Sequence, residues 1–400
     1  MDCHLGSGSP GEGGPKLRVV DMVRRHADAW RANHVPSPEQ ARVLRDVERC
    51  RTAALGGHLH HCAECGYEVP VYNACHNRHC PNCQAIEQAR WIEAREAVLL
   101  PVGHHHVVFT LPAQLRPLAR RFPREIYNLL FRAVRETLTL LADEHLGGIL
   151  GITAVLHTWT RDLSFHPHIH ALVTGGALHH DGTRWLPRLG FLFPVERMKA
   201  VFRGRVLAAL HPLRSALHLG DAAWRQLLRS LPPKDKWVVY TEPPFGRSSH
   251  VLAYLGRYTH RIGISDARLI EANDDVVRFA TRDGKTATLT PLEFVSRFLQ
   301  HVLPSGFHKI RHFGLYAPGT AHKQLAAARA LLEPDSTGPT HPEGSVESGE
   351  TWDALLSRLT GRDVLRCPRC QHGRLDRYPL PDPAFSETRP YRNDRPAWPP

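Results

Sequence analysis

The sequence predicts an α+β fold in which helices pack on an antiparallel sheet, preceded by a small cysteine-rich module. Short segments such as "HHHVVFTLP" and "TAVLHTW" have the composition of strands. Longer segments between them have helical periodicity and clear N-terminal signals. Two Cys-x-x-Cys pairs fall within one short stretch, residues 62–83. Together these observations indicate mixed secondary structure with a separate module near the N-terminus.

The N-terminal part is expected to be helical. Helices are predicted over residues 17–32 and 38–51, and the second has the residues of a capping box, with Ser37 as N-cap, Pro38 in the first position and Gln40 in the third. A further helix is predicted over residues 85–99, after the cysteine-rich stretch.

The middle of the chain alternates between predicted strands and helices. Strands are expected in residues 104–112, 153–159, 168–173 and 236–241, and helices over residues 123–141 and 249–261. Residues 267–289 are predicted as strands broken at Asn273-Asp274 and Asp283-Gly284, both of which favour turns. A capping box, Thr290-Pro291-x-Glu293, then opens a helix to about residue 303.

Composition favours a globular protein with a polyanionic partner. The chain has 400 residues, 42% of them hydrophobic, and a net charge of +12. Such a charge favours nucleic acid over membrane, since no basic amphipathic helix is evident. Neither a signal peptide nor a run of about 18 apolar residues is present. A cytoplasmic location is therefore expected, where clustered cysteines indicate metal binding rather than disulfides.

The cysteine-rich stretch "CAECGYEVPVYNACHNRHCPNC" predicts a structural zinc site. Cys62, Cys65, Cys80 and Cys83 have the spacing that lets two turns present four thiolates. Cys75 and His79 are alternative ligands, and a second zinc using His58, His60 or His61 is an open possibility. Cys367 and Cys370 form a weaker pair, either a small metal knuckle or two unligated cysteines.

Three histidines in "SFHPHIHALVTGG" alternate along a predicted strand. His166, His168 and His170 would therefore project from one face. Because the chain contains 28 histidines, this pattern alone is weak evidence for a metal site.

Downstream, "HVLAYLGRYTHR" places Tyr254 and Tyr258 one helical turn apart on one face. A phenolate can attack phosphorus and form a phosphotyrosyl ester, and a divalent metal on paired imidazoles would polarise the phosphate. Arg257 and Arg261 on the same helix could hold phosphates. The alternative is a buried aromatic stripe.

Four ordered motifs resemble a known family: "HPHIH" with its following glycines, "YLGRYTHR", "CHNRHCPNC" and "LPSGFHKIRHFGLYA". They are similar to the two-tyrosine, HUH-type rolling-circle transposases of the insertion-sequence-ninety-one family. The similarity spans roughly residues 53–323 and adds the Cys367/Cys370 pair. It implies an antiparallel-sheet HUH endonuclease core.

The resemblance implies roles for particular residues. His168 and His170 would bind a catalytic Mg²⁺ or Mn²⁺, with His166, Asp162 and His260 as candidates for the third ligand. Tyr254 and Tyr258 would be the nucleophiles that cleave DNA, and the cysteine module would be a DNA-binding zinc domain. Lys309 and Arg311, in the last motif, join Arg257 and Arg261 as candidate DNA contacts.

The expected function is thus a transposase that binds element ends, cuts single-stranded DNA and transfers the strand to a target, without an ATP site. The resemblance implies a bacterial, nucleoid-associated protein. Two alternatives remain at this point: a zinc-dependent DNA-binding regulator without catalysis, and a metal-dependent phosphodiesterase.

The predicted domain organisation follows these assignments. It comprises a helical segment (1–52), the zinc-binding module (53–92), the catalytic domain (93–330), a linker (331–350), a Cys-x-x-Cys segment (351–375) and a disordered tail (376–400).

Overall fold

The computed structural model describes residues 17–188, 190–242, 263–319, 321–333 and 351–380. Its helices in this part of the chain are Val19–Asn33, Pro38–Arg49, Ala85–Glu96, Arg116–Arg121, Pro123–His145, Val195–Leu210, Asp221–Ser230, Pro291–Leu299, Ala321–Leu332 and Trp352–Thr360. The predicted helix at 249–261 lies outside the described residues.

The strands complete the α+β architecture expected from the sequence. They are β1 (Gly57–Cys62), β2 (Glu68–Tyr72), β3 (His104–Thr110), β4 (Gly148–Ile149), β5 (Gly151–Trp159), β6 (Phe165–Thr174), β7 (Gly176–His179), β8 (Trp185–Pro187), β9 (Val239–Thr241), β10 (Leu269–Ala272), β11 (Val277–Ala280), β12 (Thr286–Leu289), β13 (Ile310–Gly314) and β14 (Leu375–Pro379).

The central sheet has five strands in the order β13-β5-β6-β3-β9, and each neighbouring pair is antiparallel. Side chains alternate across it, so one face carries Phe109, Ile169 and Leu156, which are buried in the main core. Helices Pro123–His145 and Val195–Leu210 pack on this apolar face. The opposite face carries most of the histidines of this sheet, among them His157, His168 and His170.

A second core lies between the N-terminal helices and a later part of the chain. Val19–Asn33 and Pro38–Arg49 pack against Pro291–Leu299 and the small sheet β10-β11-β12. The capping box at Ser37 is confirmed, because its hydroxyl accepts from the Gln40 N–H and the Gln40 side chain accepts from the Ser37 N–H. At the helix that starts at Pro291, the Thr290 hydroxyl accepts from the Glu293 N–H, which is the N-cap half of the predicted capping box.

Some helices end at other residues than predicted, where the sequence signal for the end was weak. The helix predicted over 123–141 continues to His145, where Gly147, in the left-handed region with φ +64°, donates to the Ala142 carbonyl and ends it. The helix opened by Thr290 ends at Leu299 instead of near residue 303.

The sheet of the cysteine-rich module includes a strand from the C-terminal segment. Strands β1 and β2 pair with each other, and β14 pairs with the other edge of β1. Residues 57–72 and 375–379 therefore share one sheet. Among the described residues, no helix is long and apolar enough to cross a membrane.

Candidate metal centres

Three imidazoles converge on the polar face of the central sheet. His168 and His170 lie on β6, and His157 on β5 is the direct cross-strand partner of His168. One nitrogen from each ring lies within 4.8 Å of the other two. His157 is 2% exposed. These nitrogens can act as ligands of a single divalent ion.

The third member of this group differs from the candidates taken from the sequence. His166 lies on the same strand, but its Nδ1 accepts a hydrogen bond from Arg116 at 2.6 Å. Asp162 lies in the β5–β6 turn, where its carboxylate accepts from the hydroxyls of Thr160 and Ser164. Neither joins the histidine group, and His260 lies outside the described residues.

Neighbouring groups determine which ring nitrogen of each β6 histidine is available. His168 Nδ1 donates to the His166 carbonyl at 2.6 Å, which leaves Nε2 as the acceptor. His170 Nδ1 lies 2.7 Å from His106 Nε2, and His106 Nδ1 lies 3.4 Å from the Glu242 carboxylate. One proton arrangement satisfies both contacts: His170 donates to His106, which donates to Glu242. Nε2 of His170 is then the nitrogen that can bind a metal.

Burial keeps these rings neutral. It lowers the pKa of His168 to about 4 and lowers the pKa of His170 well below its usual value. Burial also lowers the pKa of His106, against the opposing effect of the Glu242 carboxylate. Neutral imidazole is the form that binds metals.

The predicted nucleophiles Tyr254 and Tyr258 lie outside the described residues, as do Arg257 and Arg261. These four residues fall within residues 243–262. The described residues on either side of that range contact neighbours of the histidine group. Glu242, just before it, is bonded to His106. Gly263, just after it, lies so close to the Trp159 ring that an added Cβ would be 2.3 Å from a ring atom. Trp159 in turn stacks on His157, with ring centroids 4.9 Å apart.

The two remaining candidate DNA contacts are partly buried. Burial, with Arg78 nearby, lowers the pKa of Lys309 to about 7. The Arg311 guanidinium donates to the Asn128 side chain and lies over the Phe131 ring. Contact of Lys309 and Arg311 with DNA stays a prediction.

Eight cysteines form two groups of four. One consists of Cys50, Cys75, Cys80 and Cys83, and the other of Cys62, Cys65, Cys367 and Cys370. The expected set of Cys62, Cys65, Cys80 and Cys83 is not brought together, because each Cys-x-x-Cys pair meets a different partner. In the first group the Cys50 sulfur lies 3.3 Å from that of Cys83 and 3.5 Å from that of Cys80.

Of the alternative zinc ligands, Cys75 joins the first group and His79 does not. His79 is buried, and its Nε2 accepts from the Leu303 N–H at 3.1 Å. That bond attaches the cysteine-rich stretch to the segment that follows the helix Pro291–Leu299. His58, His60 and His61 lie on β1, outside both cysteine groups.

Two ligand candidates were missed by sequence reasoning, for different reasons. His157 had only a partial signal: a hairpin between the two predicted strands brings it near the β6 histidines. Regular pairing across residues 160–164 would place it opposite Pro167, and a register shift between His157 and Trp159 moves it opposite His168. Cys50 had none, because it is a single cysteine at the end of the helix Pro38–Arg49. Only the fold brings it to Cys75, Cys80 and Cys83.

The chain is similar to known transposases over most of its length. A family model described as "Putative transposase" matches residues 151–324, and one described as "Transposase zinc-binding domain" matches residues 22–111. The chain is 41% identical to "Putative transposase y4qJ" of Sinorhizobium fredii over 379 residues, 89% of this chain and 94% of that protein. It is 30% identical over 320 residues to "Transposase for insertion sequence element IS801" of Pseudomonas savastanoi pv. phaseolicola, covering 74% of this chain and 77% of that one. No solved structure matches significantly.

The two family models and the two relatives define the chain as a transposase with a zinc-binding domain. It belongs to the insertion-sequence-ninety-one family of transposases.

Proposed function

We propose that this transposase has an HUH endonuclease core that cuts one DNA strand at an element end, remains joined to the 5′ phosphate through a tyrosine, and passes that strand to a target. The substrate is single-stranded DNA and the process is rolling-circle transposition. The relatives carry the name transposase, and a net charge of +12 suits a phosphate-rich partner.

The chemical step is a transesterification by Tyr254 or Tyr258. The phenol loses its proton, its oxygen forms a bond to phosphorus, and the bond from phosphorus to the 3′ oxygen breaks. The 3′ oxygen takes up a proton and leaves as a hydroxyl. The phosphotyrosyl ester retains the bond energy, so the second transfer needs no nucleotide cofactor.

The position of the chain on either side of the tyrosines carries this proposal. Residues 243–262 begin beside Glu242 and end beside Gly263, and these two contact side chains that touch His170 and His157. Because both flanking residues contact neighbours of the histidine group, chain connectivity permits Tyr254 and Tyr258 to approach a phosphate bound there. This supports a role for Tyr254 and Tyr258 as nucleophiles over the alternative that they only pack in an aromatic core.

His157, His168 and His170 would bind the divalent ion, since their donor nitrogens lie within 4.8 Å of one another. The ion supplies Lewis-acid polarisation of the scissile phosphate. Three imidazoles favour a transition metal over Mg²⁺, so of Mg²⁺ and Mn²⁺ we expect Mn²⁺ to bind more tightly. Glu242 and His106 hold His170 in the orientation that binding needs.

Trapping of a covalent adduct tests the mechanism. The full chain would be incubated with Mn²⁺ and single-stranded DNA from an element end, and the product resolved under denaturing conditions. We expect an adduct whose nucleotide maps by mass spectrometry to Tyr254 or Tyr258. The Tyr254→Phe/Tyr258→Phe variant should form none while it retains DNA binding, because Phe preserves the ring and removes only the hydroxyl.

Tyr72 provides the matched control. It is exposed and lies on β2, in a different sheet from the histidine group. Tyr72→Phe should form the adduct as wild type does. An adduct on Tyr240, or undiminished cleavage by the double variant, would refute the assignment. Cleavage without any adduct would favour a phosphodiesterase.

A further inference from the structure

Two Cys-x-x-Cys turns from opposite ends of the chain face each other. The Cys65 sulfur is 3.7 Å from that of Cys367, 302 residues away, and the Cys62 sulfur is 3.8 Å from that of Cys370, 308 residues away. Four thiolates at about 2.3 Å from a tetrahedral zinc ion lie about 3.8 Å from one another. The observed spacing fits a metal and exceeds the roughly 2.05 Å of a disulfide.

The two turns have matching backbones. In each, an N–H beyond the second cysteine returns to the carbonyl of the first: Gly66 to Cys62 at 2.9 Å and Gln371 to Cys367 at 3.1 Å. Both donors have left-handed backbone, with φ of 66° and 64°. For Gln371, unlike glycine, such a φ is uncommon. Each turn therefore presents its two sulfurs in the same way.

Surrounding structure holds the turns together. In the sheet β14-β1-β2, strand β1 ends at the first turn and β14 begins just after the second, and Cys62 pairs with Leu375. Gly373 approaches so closely that an added Cβ would be 2.5 Å from the Cys62 sulfur. Its N–H also donates to the Cys370 sulfur at 3.2 Å, a contact that stabilises a thiolate.

We propose that Cys62, Cys65, Cys367 and Cys370 bind a second zinc ion, which completes a zinc ribbon built from both ends of the chain. Zinc is favoured over other metals because Cys62 and Cys65 fall within the region matched by the zinc-binding family model. Cys367 and Cys370 fall outside both matched regions. The region 22–111 alone thus contains half of this site.

The consequence is that the C-terminal segment belongs to the N-terminal module. Residues 351–380 are attached through the metal and through pairing of β14 with β1. Arg377 on β14 also lies over the Trp352 ring, 5.1 Å from its centroid, so the helix Trp352–Thr360 packs on the same ribbon. The inference does not depend on DNA cleavage.

Metal content tests the site first. Elemental analysis would use the full chain carrying His168→Ala/His170→Ala, so that zinc in the histidine group is not counted. This protein should contain two zinc ions, and the further change Cys367→Ser/Cys370→Ser should leave one. Cys75→Ser/Cys83→Ser, in the other group, should also keep one, and its retained zinc should be lost when the two variants are combined. The zinc that remains in each double variant shows that the chain has folded. In that background, two zinc ions after Cys367→Ser/Cys370→Ser, only one zinc ion with all the cysteines present, or iron instead of zinc would overturn the proposal.

A cut chain tests the connection. A protease recognition sequence would be inserted between residues 340 and 341, and the folded protein cleaved. The two fragments should elute together, and should separate once a chelator has removed the zinc. Cleaved Cys367→Ser/Cys370→Ser should separate without chelator. Fragments that stay together in the serine variant and after zinc release would contradict a joining role for the metal.

Discussion

Residues beside the histidine group determine how its rings can bind a metal. His106 and Glu242 lie outside the converging group of three, yet they form a hydrogen-bonded series that ends at His170 Nδ1. A carboxylate at the end of such a series fixes the tautomer and orientation of the ligating ring. Tyr240 adds a hydrogen bond to the other oxygen of Glu242. The sequence could not reveal this series, because its members come from three separate parts of the chain.

We expect Glu242→Gln to lower the Mn²⁺ affinity of the chain by about 10- to 100-fold, because the amide no longer offers a charged acceptor to His106. Calorimetric titration with Mn²⁺ measures the effect. Glu271→Gln, on β10, is the control and should leave the affinity unchanged. Zinc content should be equal in both variants, which separates loss of the site from loss of the fold. Equal Mn²⁺ affinity in wild type and Glu242→Gln would rule out a positioning role.

His157 and His166 provide a matched pair for the third ligand. His157→Ala removes a nitrogen from the converging group, so Mn²⁺ affinity should fall by at least about 100-fold, as expected for loss of one of three ligands. His166→Ala removes a ring bonded to Arg116 and should leave metal affinity within a few fold of wild type. The reverse ranking in the same titration would restore His166 as the ligand.

At the scale of elements, hairpins and helix ends decide which residues meet. The β5–β6 hairpin follows from local sequence: its turn is five residues long, and Asp162 accepts hydrogen bonds within it. Strand pairs of this kind were predictable, and so was the capped helix Pro38–Arg49. The meeting of Cys50 with Cys80 was not, because it depends on how that helix packs beside the cysteine-rich stretch, and no local pattern encodes that packing.

We expect Cys50→Ser to release the zinc of the first cysteine group and to destabilise the N-terminal helices. The metal links the end of Pro38–Arg49 to the following module, and its binding energy contributes to folding. Alkylation followed by mass spectrometry would report it: Cys75 and Cys83 should become reactive, while Cys65 and Cys370 stay protected. Protection of Cys75 in this variant would show that Cys50 is not a ligand.

At the scale of the whole molecule, the histidines used for structure are kept neutral. His104 Nδ1 donates to the Val102 carbonyl while its Nε2 accepts from the Tyr316 hydroxyl, both at 2.8 Å. His301 does the same with Leu163 as acceptor and Thr158 as donor, both at 3.1 Å. A ring with one donating and one accepting nitrogen is satisfied only when neutral, because an imidazolium has two donors.

This arrangement predicts that acid destabilises the fold. Burial lowers the pKa of His104 to about 4 and that of His301 to about 3. Both folded values lie below the unfolded value near 6.5. Above pH 6.5 neither state is protonated and stability is unaffected. Between pH 6.5 and the folded pKa, the unfolded chain binds protons that the folded chain does not, so the free energy of unfolding falls with falling pH.

Each such histidine should contribute a slope of up to about 1.4 kcal/mol per pH unit over that window. Acid also releases zinc from thiolates, so the wild-type curve alone cannot isolate the effect of one ring.

His301→Gln solves this, since its amide can donate to the Leu163 carbonyl and accept from Thr158 without titrating. Urea unfolding of the zinc-loaded chain at pH 7, 6, 5 and 4 should show stability falling less steeply in His301→Gln than in wild type. Because both proteins lose zinc alike, the difference between the two curves reports the histidine alone. Parallel curves would mean that His301 already carries its proton in the folded state, which would require a different arrangement of its two hydrogen bonds.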